Sequence, residues 1–205
     1  MITLVALGTS LGGFDAVRRL LVQLRHSCNA AIVIVQHRSP QADATLVDLL
    51  AQHCALPVCE PCDRDPIQPG HVYLAPADYH LLVEPGCFSL SIDPPVSFAR
   101  PSIDVLFESV AAAYGSAAIG LVLTGSSRDG ARGAAAIKRA GGRVFVEDPM
   151  LAQSPIAPQA ALAAADVDAV LPLDGLAEVI NELCHAASDA TTHPGAGTDR
   201  DPNHA

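Results

Sequence analysis

Ile2-Thr3-Leu4-Val5-Ala6-Leu7-Gly8-Thr9-Ser10-Leu11-Gly12-Gly13 decides how the rest of the chain is read. Residues Ile2 to Leu7 form an apolar run without polar alternation that enters a glycine-framed turn, after which Val17, Leu20, Leu21 and Leu24 recur at helical spacing. A strand apolar on both faces, followed at once by an amphipathic helix, is the opening of a βα unit in a sheet covered on both sides. Ala31 to Val35, Ile119 to Leu123, Arg143 to Val146 and Ala169 to Leu171 are further continuous runs. The helical stripe returns in Ile103, Leu106, Phe107 and Val110, and again in Leu176, Val179, Ile180 and Leu183. Right-handed crossovers then predict an α/β fold: a three-layer α/β/α sandwich around a mostly parallel, doubly wound sheet. Between Pro57 and Leu90 the rhythm breaks. Short runs at His71 to Ala75, Leu81 to Glu84 and Cys87 to Ile92 are separated by Pro-Gly and Pro-Ala-Asp turns, which predicts a small antiparallel edge or hairpin inserted in the parallel sheet.

The chain has 205 residues, enough for one sizeable core, and its 50% hydrophobic content with 4% aromatics describes an aliphatic interior. Residues 1–187 are read as one domain. From Ser188 to Ala205 the chain turns to Thr, Pro, Gly, Asp and His without periodicity, the composition of a disordered tail. A formal charge of −10 with no basic stripe argues against nucleic acid as a partner. No apolar run is long enough to span a bilayer, and Met1 opens directly into the first strand without a basic leader, so a cytoplasmic location is expected. His53, Cys54, Cys59 and Cys62 do not have the spacing of a zinc ribbon or finger. No metal site and no disulfide framework are therefore predicted, with Cys28, Cys87 and Cys184 read as small apolar fillers.

Three residue types with complementary chemistry each follow an apolar run: Ser10, His37 and Asp129. A parallel sheet gathers the carboxyl ends of its strands along one rim, so these residues can meet there. A serine hydroxyl needs a base to take its proton, and an imidazole works best when a carboxylate fixes its tautomer. Gly8-x-Ser10-x-Gly12 also has the spacing of a nucleophile turn, in which following amides face a developing oxyanion. Taken alone, each residue has a plainer use: Ser10 and His37 as turn or capping residues, Asp129 as a charge at the N-terminus of a helix beginning near Gly130. Ser102 reads as the N-cap of the helix containing Asp104. The order Ser, His, Asp, with the serine on the first strand, is not that of the α/β-hydrolases.

Five blocks in order carry a resemblance: Gly8-Thr9-Ser10-Leu11-Gly12-Gly13, Val35-Gln36-His37-Arg38-Ser39-Pro40, Pro69-Gly70-His71-Val72-Tyr73-Leu74-Ala75-Pro76, Arg100-Pro101-Ser102-Ile103-Asp104-Val105-Leu106-Phe107 and Leu123-Thr124-Gly125-Ser126-Ser127-Arg128-Asp129-Gly130. Together they resemble the signature of the CheB-type protein-glutamate methylesterase domain, over about residues 2 to 185. The resemblance implies a stand-alone cytoplasmic hydrolase that removes methyl groups from γ-glutamyl methyl esters on chemoreceptors, with receptor-glutamine deamidation as a related activity. It implies Ser10, His37 and Asp129 as the catalytic residues, the backbone amides at Leu11 and Ser126 as oxyanion donors, and no cofactor. No receiver domain precedes Met1, so phosphorylation control within the chain is not expected.

Departures from the family pattern sharpen these expectations. Leu11 stands where the family usually has Thr, and Ser126-Ser127 where it commonly has Met-Gly, a change that would forbid a positive φ at the second position. Two further readings accompany the methylesterase: an esterase for a different methylated protein, and a scaffold of the same fold that docks on a receptor or kinase without turnover.

Overall fold

A computed structural model describes residues 3–41 and 45–189. Strand β1 (Thr3–Thr9) leads through helix α1 (Gly13–Leu21) to β2 (Ala30–Gln36), then α2 (Thr45–Ala51) and the two-residue β3 (Val58–Cys59). Next come β4 (His71–Leu74), β5 (His80–Glu84) and β6 (Cys87–Ser91), followed by α3 (Ile103–Tyr114) and β7 (Ala118–Val122). The chain closes with α4 (Ala131–Arg139), β8 (Arg143–Glu147), α5 (Ile156–Ala164), β9 (Ala169–Leu171) and α6 (Leu173–Asp189). Seven strands form one sheet in the order β3-β4-β2-β1-β7-β8-β9, and every pairing within it is parallel.

The continuous apolar strands are explained by the layers. Val5, Leu7, Ile32 and Ile34 face α1, α2 and α6 in one core, while Leu4, Ala6, Val33 and Val35 face α3, α4 and α5 in the other. Both faces of each central strand are buried, so alternation has nothing to select. Among the described residues no helix is long and apolar enough to cross a membrane.

Several expectations need correction. His71–Leu74 is not part of the hairpin: it pairs parallel with β2 and belongs to the main sheet. The expected antiparallel hairpin is β5 and β6, the one antiparallel strand pair among the described residues; it forms a separate two-stranded sheet rather than an insertion in the parallel one. That sheet packs on α3, where Val83 N donates to Ser109 Oγ at 3.0 Å. Leu81, Val83 and Phe88 cover the same core as α3, so the hairpin serves as part of a helical layer. Cys28 and Cys184 are not separate fillers. The turn before β2 lies against α6, their Cα atoms are 4.7 Å apart, and the two are disulfide-bonded across a sequence separation of 156. Ser188 and Asp189 belong to α6, and the remainder of the expected tail, 190–205, lies outside the described residues.

Candidate active site

Strand order alone determines where the site forms. From β1 the chain builds outward through β2 to β3 and β4, then returns to add β7, β8 and β9 on the opposite side. The crevice beyond the ends of β1 and β7 is therefore a topological switch point, where open α/β sheets bind ligands. Ser10 leaves β1 there, and its amide donates to Thr124 O at 3.0 Å.

Parallel register supplies its neighbour. Thr9 pairs with Gln36, so one step further along both strands sets Ser10 beside His37. His37 N donates to Thr9 O at 3.0 Å, and Gln36 Nε2 donates to Ser10 O at 3.1 Å, which extends the strand pairing past its formal end. Gly12 has φ +80°, and a Cβ there would stand 2.5 Å from Gln153 Oε1, so the turn carrying Ser10 into α1 requires glycine. Ser10, Leu11, His37, Ser126 and Gln153 line one cleft. Among the described residues the Ser10 hydroxyl and the amides of Leu11 and Ser126 have no hydrogen-bond partner, which leaves them available to a ligand.

His37 is fixed from the other side. Its Nε2 lies 2.7 Å from Asp129 Oδ2, with 15% of the His37 side chain exposed and none of the Asp129 side chain. The same carboxylate accepts from Ile103 N at 2.7 Å, Asp104 N at 3.0 Å and Ser102 Oγ at 2.8 Å. Asp129 thus sits on the N-terminus of α3, not on that of α4, which it precedes in sequence. Anions are stabilised there by unpaired amides and the helix dipole. Burial works against the Asp129 charge, but the bonds from His37, the two amides and Ser102 outweigh it and hold its pKa below the ordinary value.

Asp104 returns the arrangement. Its Oδ1 accepts from Gly130 N at 2.9 Å and Gly133 N at 2.8 Å, so the first turn of α3 caps α4. Burial raises the Asp104 pKa and the nearby Asp129 charge adds to it, against the opposing effect of those amides and Arg132. The N-terminus of α3 is therefore capped by a carboxylate from the turn leading into α4, and that of α4 by a carboxylate from α3. Beneath them His80, 1% exposed, accepts from Ser102 N at Nδ1 (3.2 Å) and lies 3.2 Å from Pro94 O at Nε2. These partners assign the neutral tautomer with hydrogen on Nε2.

Thr124 ties the remaining loops together. Its Oγ1 donates to Leu11 O at 2.9 Å and accepts from Ser154 N at 2.9 Å, while its amide donates to Glu147 Oε2 at 2.7 Å. Burial raises the pKa of Glu147, partly offset by that amide. At Ser126-Ser127, where the family commonly has Met-Gly, neither residue has a positive φ. Ser127 Oγ instead accepts from Asp129 N at 3.1 Å and steadies the loop.

Of the residues expected from sequence, the structure joins His37 to Asp129 by a hydrogen bond and sets Ser10 in the cleft that His37 lines; Ser102, Asp104, His80, Thr124 and Glu147 were not anticipated as supports. A carboxylate ending the apolar run Arg143 to Val146 was the available signal for Glu147. His80 offered none, since its partners come from segments 14 and 22 residues away.

Comparisons with known proteins agree with this architecture. The CheB methylesterase family matches residues 5–180. A protein-glutamate methylesterase/protein-glutamine glutaminase of Trichodesmium erythraeum is 39% identical over 181 residues, covering 86% of this chain and 51% of that protein. A Leptospira interrogans protein with the same pair of activities in its name is 40% identical over 180 residues, covering 87% of this chain and 93% of its own length. The crystal structure of the Thermotoga maritima CheB methylesterase catalytic domain superimposes with a TM-score of 0.85 at 32% identity, covering 89% of this chain and 99% of that one. With the family matched along most of its length and the fold shared with a solved catalytic domain, the chain belongs to the CheB methylesterase family.

Proposed function

We propose that the chain is a protein-glutamate methylesterase that hydrolyses γ-glutamyl methyl esters on a methylated chemoreceptor or similar methyl-accepting signalling protein in the cytoplasm. The observation that carries this reading is the bond that His37 Nε2 donates to Asp129, which leaves Nδ1 as the basic nitrogen in the cleft that also holds Ser10. Ser10 Oγ attacks the ester carbonyl while its proton passes to His37 Nδ1. The imidazolium formed is stabilised by Asp129, whose four hydrogen bonds keep it ionised. The carbonyl oxygen, now negative, takes the free amides of Leu11 and Ser126. Collapse breaks the bond to the methoxy oxygen, which leaves as methanol with the proton from His37. Water then repeats the sequence on the acyl-serine, releasing the glutamate carboxylate and restoring Ser10.

The names of the relatives favour a second leaving group. Glutamine presents the same carbonyl with ammonia in place of methanol, and the same residues would deamidate it. The test is methanol release from a methylated receptor by the wild-type chain beside Ser10→Ala, with labelling by a serine-directed fluorophosphonate mapped by peptide mass spectrometry. Methanol from the wild type alone, and an adduct on Ser10 that disappears in His37→Ala, are expected. Equal release by Ser10→Ala, or an undiminished adduct in His37→Ala, would overturn the assignment.

A further inference from the structure

Beside His37 the chain makes a turn that local preferences oppose. Val96 N donates to Ala99 O at 3.1 Å and Ala99 N to Val96 O at 2.9 Å, closing a two-residue hairpin turn. Both central residues are left-handed, Ser97 at φ 52° and Phe98 at φ 63°. Turns with two positive φ angles select Asn-Gly, because a Cβ crowds the backbone in that region, and a bulky aromatic there is an outlier. Phe98 gains nothing from packing in return, since it is fully exposed at 104% of the reference area.

The mount of this turn is firm. Arg100 Nη1 donates to Ile92 O at 2.8 Å and Asp93 O at 3.1 Å, and its Nε donates to Asp78 Oδ1 at 3.0 Å. His80 holds Pro94 O from below. Its position is equally specific. Phe98 lines a cleft of about 340 Å³ with His37, Pro40, Pro95 and Arg38, and His37 is also part of the cleft containing Ser10. Leu11, 53% exposed, stands in that second cleft. The ester-binding crevice is thus continuous with an aromatic side chain held in solvent at a conformational cost.

We propose that Phe98 is a specificity-determining residue, packing on an apolar side chain that neighbours the esterified glutamate in the protein substrate. This rests on the methylesterase reading above. Strain retained at a site edge is explained when the strained residue contacts the ligand. A rigid aromatic on a braced turn loses little freedom on binding, the property that makes such residues anchors of protein recognition. The occupant is the methylated protein itself, because the cleft under Phe98 leads directly to His37.

The test compares wild type, Phe98→Ala and Phe98→Gly on a methylated receptor and on N-acetylglutamate γ-methyl ester, with melting temperatures and sedimentation measured alongside. Truncation is expected to lower the ratio of kcat/KM on the protein to kcat/KM on the small ester by roughly tenfold to thirtyfold, through KM. Phe98→Gly is expected to melt about 2–4 °C above wild type, since glycine adopts the turn freely. An unchanged ratio, or a Gly variant that melts lower, would overturn the proposal. Loss of a wild-type dimer in the variants would do so too, by making a second copy the occupant. If wild type cleaves both esters and the variants match it, the Phe98 assignment fails alone. If wild type cleaves neither, the methylesterase reading fails with it.

Discussion

Replacing Asp129 by Asn tests how the site is built, because no orientation of an amide fits the place. Oδ1 accepts from Asp104 N and Ser102 Oγ, and Oδ2 from Ile103 N and His37 Nε2. With the amide nitrogen at Oδ2 it faces the Ile103 N–H, and His37 must shift its proton to Nδ1, where the Ser10 proton has to go. With the nitrogen at Oδ1 it faces the Asp104 N–H, and the tautomer survives without a charge to stabilise the imidazolium. Either way one buried backbone amide loses its acceptor, at about 1–3 kcal/mol, and the other bonds lose their charge assistance. The expected destabilisation is about 2–4 kcal/mol, a fall in Tm of roughly 5 to 15 °C for a chain of this size. Turnover should drop by roughly 10² to 10⁴, the upper figure belonging to the wrong tautomer. The pH dependence has a definite sign. A carboxylate with a depressed folded pKa stabilises above its ordinary value near 3.8 and loses that contribution as pH falls through the folded value, so the wild-type advantage should shrink in acid. Denaturant melts at several pH values and methanol release measure both arms. A variant with wild-type stability would refute the capping role, and one with wild-type turnover would refute the orienting role.

Ser127→Gly removes the acceptor for Asp129 N and should lower kcat by severalfold; a faster variant in steady-state assays would show instead that this loop works better with glycine. Asp104→Ala deprives two buried amides of their acceptor and should cost about 2–4 kcal/mol, while Asp104→Asn keeps an acceptor and should cost far less; equal losses in urea melts would contradict the cross-cap. Glu147 has a raised folded pKa, so ionising it weakens the fold as pH climbs from about 4.5 through that value. Glu147→Gln keeps an acceptor for Thr124 N and should gain on wild type over that range, whereas a pH-independent difference would exclude the buried charge as the cause.

The sheet and its rim were legible because they depend on local pattern. Continuous apolar runs marked β1, β2, β7, β8 and β9, and residues just past three of them proved to be neighbours. The antiparallel hairpin was recognised, but His71–Leu74 was grouped with it, since a four-residue strand has the same appearance in either pairing. Short α2 and the two-residue β3 have too few residues for any periodicity to register. The supports of Asp129 were invisible for a different reason. A cap between Asp104 and Gly133, or a disulfide between Cys28 and Cys184, depends on which elements pack together, and nothing in either segment names its partner.

The exchange of carboxylates between α3 and α4 ties catalysis to folding in a way that shapes how activity can be lost in evolution. A lineage that gives up hydrolysis can change Ser10 freely, since its hydroxyl supports no other group among the described residues. Asp129 cannot be surrendered so cheaply, because α3 would lose the anion at its N-terminus. Inactive descendants of such a protein should therefore keep the aspartate and discard the serine, and an intact Asp129 marks the inheritance of this fold rather than the survival of its chemistry.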